Sequence, residues 1–256
     1  MTAPPHRDDE DVTYGSYLAV DELLRLQRPR SEPEHPDELL FIIVHQASEL
    51  WFKVLLHELD FLIGHLQSGE TLSALATMRR VNAVVRIVAD QLSALDTLPP
   101  QRFAQFRGYL GSASGGQSAQ FRAIEAVSGL RDDHFLQVLR EHGDVPALVQ
   151  RALARPTLQA LFLGLLRTEG TALEVVYSEP APSAAFLLAE ALIEYEQGFQ
   201  LWRYLHVQLV ERIIGTQTGG TGGTLGARYL QHTLSQRFFP DLWAVRTRFF
   251  GGPAAA

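Results

Sequence analysis

The chain contains no cysteine. That absence excludes disulfides, thiolate zinc sites, iron–sulfur clusters, cysteine nucleophiles and thiolate-ligated haem, so any metal must be held by His, Asp or Glu. Lysine is almost missing too: Lys53 is the only one, and arginine carries nearly all the positive charge. The formal net charge of -7 is the opposite of the concentrated positive surface that phosphate backbones need, and no nucleic-acid partner is expected. The first residues, MTAPPHRDDEDVTYG, are acidic where a signal peptide is basic and then oily. No apolar run is read as reaching bilayer length, so a cytoplasmic protein without a membrane partner is expected. Strand-type alternation is absent and turn clusters are few.

What is present is helical periodicity. A length of 256 residues, 46% hydrophobic and 20% charged, suits one large soluble domain with a sizeable core. Pro36, Asp37 and Glu38 open a helix predicted to run to Leu66 and close near Gly69. Thr71 reads as the cap of a second, continuing to Leu95 and ending before Pro99 and Pro100. Shorter helices fit 101–110, 117–128, 132–141, 145–153 and 156–175; a long one spans about 184–214, stopping at Gly215, and a last covers roughly 226–237. The expected fold is all-α, a single-domain bundle of long antiparallel helices without a fixed-period repeat. Residues 1–12 and 251–256 are expected to be mobile tails on a domain of 13–250.

Two histidines stand on apolar helices. His45 lies one turn beyond Phe41, with Ser48 and Phe52 on the same stripe and Glu49 and Lys53 beside it as an i, i+4 pair. His206 is surrounded at helical spacing by Trp202, Leu209 and Val210. Each is either a core histidine satisfied by a neighbouring carbonyl or an imidazole facing a pocket, because a buried polar group left unpaired costs roughly 1–3 kcal/mol. A di-iron bundle needs Glu-x-x-His on two helices, and the one clear instance, Glu32 to His35, falls in a Pro-rich segment. Haem needs only one axial imidazole and apolar walls, which His206 on a buried helix provides.

Two Gly-rich stretches follow helices. GTQTGGTGGTLG (215–226) has neither the lysine nor the preceding strand of a phosphate loop. It is either a linker or a loop that closes over a ligand with Thr218, Thr221 or Thr224 as hydroxyl donors. GSASGG (111–116), which contains Ser114, admits the same two readings, and Arg107 just before it is placed to fork onto a carboxylate.

Several segments together resemble the tryptophan 2,3-dioxygenase family: TYGSYL (13–18), SEPEHPDELLFIIVHQASELWFK (31–53), FRGYLGSASGGQSAQFR (106–122), LWRYLHVQLVERIIG (201–215), GTGG (220–223) and FFPDLW (238–243). The resemblance implies a haem b enzyme that inserts O2 across the indole C2–C3 bond of tryptophan, with the haem between helices. It implies His206 as the axial iron ligand, with Trp202, Gly116 and Gly222 also against the cofactor. It implies His45 at the indole N–H, where the imidazole need not be a base, and Phe41 as an apolar wall. Arg107 would fork onto the substrate carboxylate, with Phe103 and Ser114 in the same pocket, while Thr221 would hold the ammonium and carboxylate. Tyr14 and Tyr17 match tyrosines that reach into a neighbouring subunit's pocket, which implies a homo-oligomer, usually a tetramer built as a dimer of dimers.

The resemblance also has departures. Gly116 stands where the family commonly has Phe, Phe103 where many bacterial members have Tyr, and Leu205 where Arg is usual. The segment TGGTGGTLG is one residue longer than its usual counterpart, and the chain is trimmed between about 128 and 185. Extra room at Gly116 would suit a substituted indole such as β-methyl-tryptophan, and single-oxygen insertion giving a 2-oxindole or hydroxylated indole is the alternative expectation. A haem-binding protein without turnover is the third, against which the joint presence of His45, Arg107 and Thr221 speaks.

Overall fold

A computed structural model of the chain describes residues 12–131, 137, 144–216 and 227–250, with the side chains of the last stretch from Leu230 onward. Two short helices, α1 (Tyr14–Leu18) and α2 (Val20–Leu23), precede the 31-residue α3 (Glu38–Ser68). α3 stops where the sequence places Gly69, whose φ of 74° a side chain would strain. α4 (Thr71–Asp90) follows after two residues and passes into a 3₁₀ stretch, Gln91–Thr97. Thr71 is not its cap: Glu70 holds that position, and the Thr71 hydroxyl donates instead to Glu169 at 2.7 Å.

Then come α5 (Pro100–Phe106), 3₁₀ turns at Arg107–Leu110 and Gly115–Gln117, and α6 (Ala119–Ser128). α7 (Ala147–Leu153), α8 (Leu158–Thr168) and α9 (Leu173–Ser178) lead to the second 31-residue helix, α10 (Ala184–Ile214). Ser183 caps α10 by accepting from the Phe186 N–H at 3.2 Å, and Gly215 ends it. α11 (Ala227–Thr233) and α12 (Pro240–Arg248) close the chain. No strand occurs among the described residues.

α3 runs antiparallel to both long neighbours. Arg80 of α4 reaches Glu58 at 2.9 Å while Gln91, at the far end, reaches Ser48 at 2.7 Å. Against α10, Val44 packs with Leu209 whereas Phe52 meets Trp202 through Phe121. α4 and α10 are therefore parallel, as Asn82 to the Ala191 carbonyl (3.1 Å) and Arg86 to Glu194 (2.7 Å) confirm. Parallel neighbours cannot be joined by a tight turn, and residues 91–183 form the crossover. Gly198 sets how closely they approach: a Cβ there would lie 2.6 Å from Val85 Cγ1. Between the three helices sit Leu55, Leu59, Leu62, Met78, Leu188, Leu192 and Tyr195, each essentially without solvent contact.

Several expectations change. The helix expected over 156–175 is broken at Gly170, φ 72°, which divides α8 from α9. The one expected over 226–237 is shorter, and α1, α2 and α12 were not anticipated. The stretch 132–141, apart from Gln137, lies outside the described residues, as do the expected tails apart from Val12. The expectation that no segment reaches bilayer length is overturned by α3, which does so by length and composition alone. The reason is that both of its faces are apolar. One builds the core, and Leu39, Ile43, Leu50, Val54 and Phe61 are exposed on the other.

Candidate active site

The N-terminal turns of α3, the end of α5 and the C-terminal half of α10 bring two apolar clusters together. Val44, Leu92, Leu95 and Leu209 pack with Phe41, Trp202, Leu205 and Ile213. Leu98, Phe103 and Phe106 pack with the same Phe41 and Ile213. Phe41 is the hinge of the wall, with ring centroids 4.2 Å from His45, 5.5 Å from Phe103 and 5.8 Å from Phe106.

The Nδ1–H of His45 donates to the Phe41 carbonyl at 2.7 Å. A carbonyl only accepts, so Nδ1 carries the proton and Nε2 the lone pair. Burial pulls the His45 pKa below its ordinary value, opposed by that hydrogen bond and by Glu49, which keeps the ring neutral near pH 7. The same ring retains accessible surface. A ring crowded by protein yet still accessible fits the wall of a cleft.

His206 approaches His45 from α10. Its pKa is pushed down to about 4, first by burial and then by the charge His45 would carry, so the imidazole stays neutral. Trp202, one turn earlier, stacks on it at 5.2 Å and 23°. Trp202 Nε1 is buried without a hydrogen-bond partner among the described residues, and no hydrogen bond is described for the part-buried His206 ring. Unspent polar groups in an apolar interior call for a ligand. Among the described residues no three His, Asp or Glu gather to hold a bare metal ion. A metal taken by His206 must therefore bring most of its other ligands with it. A neutral imidazole backed by an indole and walled by Phe and Leu fits a flat, largely apolar metal carrier such as haem.

Arg107 follows the fully buried Phe106 and is half-buried at the start of its 3₁₀ turn. Its approach is pinned to the segment before α3. His35 Nε2 lies 3.1 Å from Gln105 Oε1, Arg102 donates to Asp37 at 2.9 Å, and the Tyr109 hydroxyl donates to the Glu32 carbonyl at 2.9 Å. Beyond it, the Ser114 hydroxyl accepts from the Gly116 N–H at 3.3 Å and Gln117 Oε1 accepts from the Ser114 N–H, a reciprocal cap that shapes the turn. A Cβ on Gly116 would meet only Arg122 Nη2 and Ser114 Oγ, both at 3.6 Å.

The structure thus brings Phe41, His45, Phe103, Trp202 and His206 together and places Arg107, Ser114 and Gly116 on the neighbouring 3₁₀ turns and loop. Tyr14 and Tyr17 are not brought there by their own chain: each is 78% exposed on α1. Thr221 and Gly222 lie outside the described residues. Phe106 is a wall residue that sequence reasoning missed, although its i+3 spacing from Phe103 was a usable signal. Also missed is a buried ion cluster formed by Arg122, Glu125 and Arg203.

The chain is similar to known proteins over most of its length. The pattern of the family described as Tryptophan 2,3-dioxygenase matches residues 2–155 and 162–249. A protein named tryptophan 2,3-dioxygenase from Anaeromyxobacter dehalogenans is 46% identical, over 94% of this chain and 98% of the relative. Proteins of the same name from Herpetosiphon aurantiacus and Kineococcus radiotolerans are 43% and 39% identical, covering 92% and 93% of this chain and 97% and 91% of their own lengths.

Proposed function

The chain belongs to the tryptophan 2,3-dioxygenase family, and from that premise we propose that it inserts both atoms of O2 across the C2–C3 bond of the L-tryptophan indole, giving N-formylkynurenine, with haem b between α3 and α10. The observation that carries this reading is the unspent, neutral imidazole of His206 beneath an apolar hollow. His206 would hold the iron, with Trp202 behind the ring and Gly116 and Gly222 along the cofactor. The chemistry that haem supplies when bound is activation of O2 at its iron.

The protein's part is binding, orientation and exclusion of water. Phe41, Phe103 and Phe106 present aromatic surface to an indole. His45 Nε2, free to accept, would take the indole N–H and set the ring's rotation. A zwitterionic amino acid entering such a pocket loses its hydration, so its carboxylate needs a charge-assisted partner. Arg107 would fork onto it, with Ser114 beside it and Thr221 holding the ammonium end.

The exposed apolar row of α3 and the outward Tyr14 and Tyr17 are read as surfaces covered by further copies of the chain. The assembly would be a soluble cytoplasmic homotetramer, a dimer of dimers, with each α1 completing a neighbour's pocket. Native mass spectrometry should give four chains; a monomer with full activity would contradict this.

Mass spectrometry of product formed under labelled O2 tests the reaction. Two incorporated atoms are expected. One atom would instead support the monooxygenase reading, in which the small residue at Gly116 admits a modified tryptophan. Haem binding without any turnover would leave a haem-binding protein.

A further inference from the structure

Glu125 of α6 is 1% exposed and bonded to two arginines that are themselves buried. Its Oε2 accepts from Arg122 Nη1 at 2.7 Å and its Oε1 from Arg203 Nη2 at 2.9 Å. Each guanidinium also holds a backbone carbonyl through another of its nitrogens. Arg122 Nε donates to the Gly116 carbonyl at 3.2 Å, and Arg203 Nη1 donates to the Thr233 carbonyl at 3.4 Å. Arg203 adjoins Trp202 and precedes His206 by three residues, on the same turn of α10. One carboxylate therefore lies between the Ser114–Gly116 turn and the turn that carries the candidate iron ligand.

Three buried charges are an uneconomical way merely to pack helices, since apolar side chains of similar volume do so at no desolvation cost. What an ion cluster adds is direction, because each guanidinium has a rigid fork and each bond a required angle. The hydrogen bonds described for the cluster run to Gly116 and Thr233 and not to Phe41 or His45. Its effect must pass through the two segments it holds.

We propose that Glu125 is a positioning residue, its carboxylate fixing the Ser114–Gly116 turn through Arg122 and the Trp202–His206 turn of α10 through Arg203, so that the substrate side and the iron side of the site share one anchor. This rests on the function proposed above. Arg122→Lys isolates the first arm: the ammonium can keep the charge pair with Glu125 but has no fork with which to reach the Gly116 carbonyl as well. Glu125→Gln loosens both arms. Tyr195→Phe is the control, because it removes the 2.7 Å bond to Ser128 between the same two helices while leaving every hydrogen bond of the cluster in place.

The experiment is steady-state kinetics with L-tryptophan on haem-loaded protein, together with hemin titration and thermal melting of the apo form. Arg122→Lys is expected to raise KM roughly tenfold with kcat within about threefold of wild type, and to weaken hemin binding less than Glu125→Gln does, because Gly116 borders the cofactor while the Arg203 arm stays intact. Glu125→Gln is expected to raise KM at least as much and also to weaken hemin binding by about tenfold or more. Tyr195→Phe should lower the melting temperature and leave both constants alone. If Arg122→Lys and Glu125→Gln behave like Tyr195→Phe, the cluster is structural and the proposal is overturned. Should Glu125→Gln fail to fold, Arg122→Lys alone decides. A wild type that binds hemin but does not turn over tryptophan counts against the assigned reaction, and the hemin titrations then decide the role of Glu125.

Discussion

His45 donates its Nδ1–H to the Phe41 carbonyl, 2.7 Å away and one helical turn earlier, and so leaves Nε2 with a bare lone pair. The bond assigns the tautomer, and the depressed pKa preserves it. His45 can then accept a proton bond from substrate without ever removing the proton.

The first prediction tests that acceptor. His45→Ala should lower kcat/KM for L-tryptophan by about tenfold, as expected for one neutral hydrogen bond plus lost orientation. Wild type and variant should be nearly equal on 1-methyl-tryptophan, which has no N–H to give. An equal penalty on both substrates would remove the bond from the account.

Loss of the proposed carboxylate clamp should be costlier. Arg107→Ala is expected to lower kcat/KM by on the order of 10² or more, from about 2–5 kcal/mol for one side of a desolvated charge pair. Tryptamine, which lacks the carboxylate, should show little difference between the two proteins. Steady-state kinetics on both substrates is the check.

The depressed histidines also make the apo protein acid-sensitive. His206 has a folded pKa of about 4 against an ordinary 6.5, so between those values the unfolded chain binds more protons. Stability is full above about pH 7 and falls as pH drops through that window, with His45 adding in the same direction. Because the His206 ring keeps some solvent contact, the loss at pH 5 is about 1 kcal/mol, or ~2–4 °C for a chain of this size. The melting temperature of wild type should fall more from pH 7.5 to pH 5 than that of His206→Leu. Parallel declines would show that His206 is not desolvated.

A fourth prediction concerns the frame. Gly129 ends α6 at φ 130°, where a Cβ would lie 2.6 Å from the Phe238 carbonyl oxygen. Gly129→Ala combines backbone strain with a clash against fixed backbone and should destabilise the fold by about 2 kcal/mol or more. Chemical denaturation measures it.

These tests also mark what could be read in the sequence. α10 was legible to the residue because its ends carry local chemistry, a Ser cap and a terminal Gly, and α3 for the same reason at Gly69. His45 and His206 stood out because each is a lone polar ring on an apolar helix, but whether they faced a core or a cavity depended on which helices meet, and periodicity carries no such information. The parallel pairing of α4 with α10 was likewise hidden, since it follows from a crossover of some ninety residues rather than from either helix. The pairing of Glu125 with Arg203 has no local signal, because the two lie 78 residues apart in the chain.

The central claim is that the ring at position 206 carries the iron, and hemin titration of apo protein followed by the Soret band tests it most directly. Wild type should bind one haem per chain, His206→Gly should not retain it, and added imidazole should restore the band. A His206→Gly protein that binds hemin with unchanged affinity and an unshifted Soret band would contradict the account.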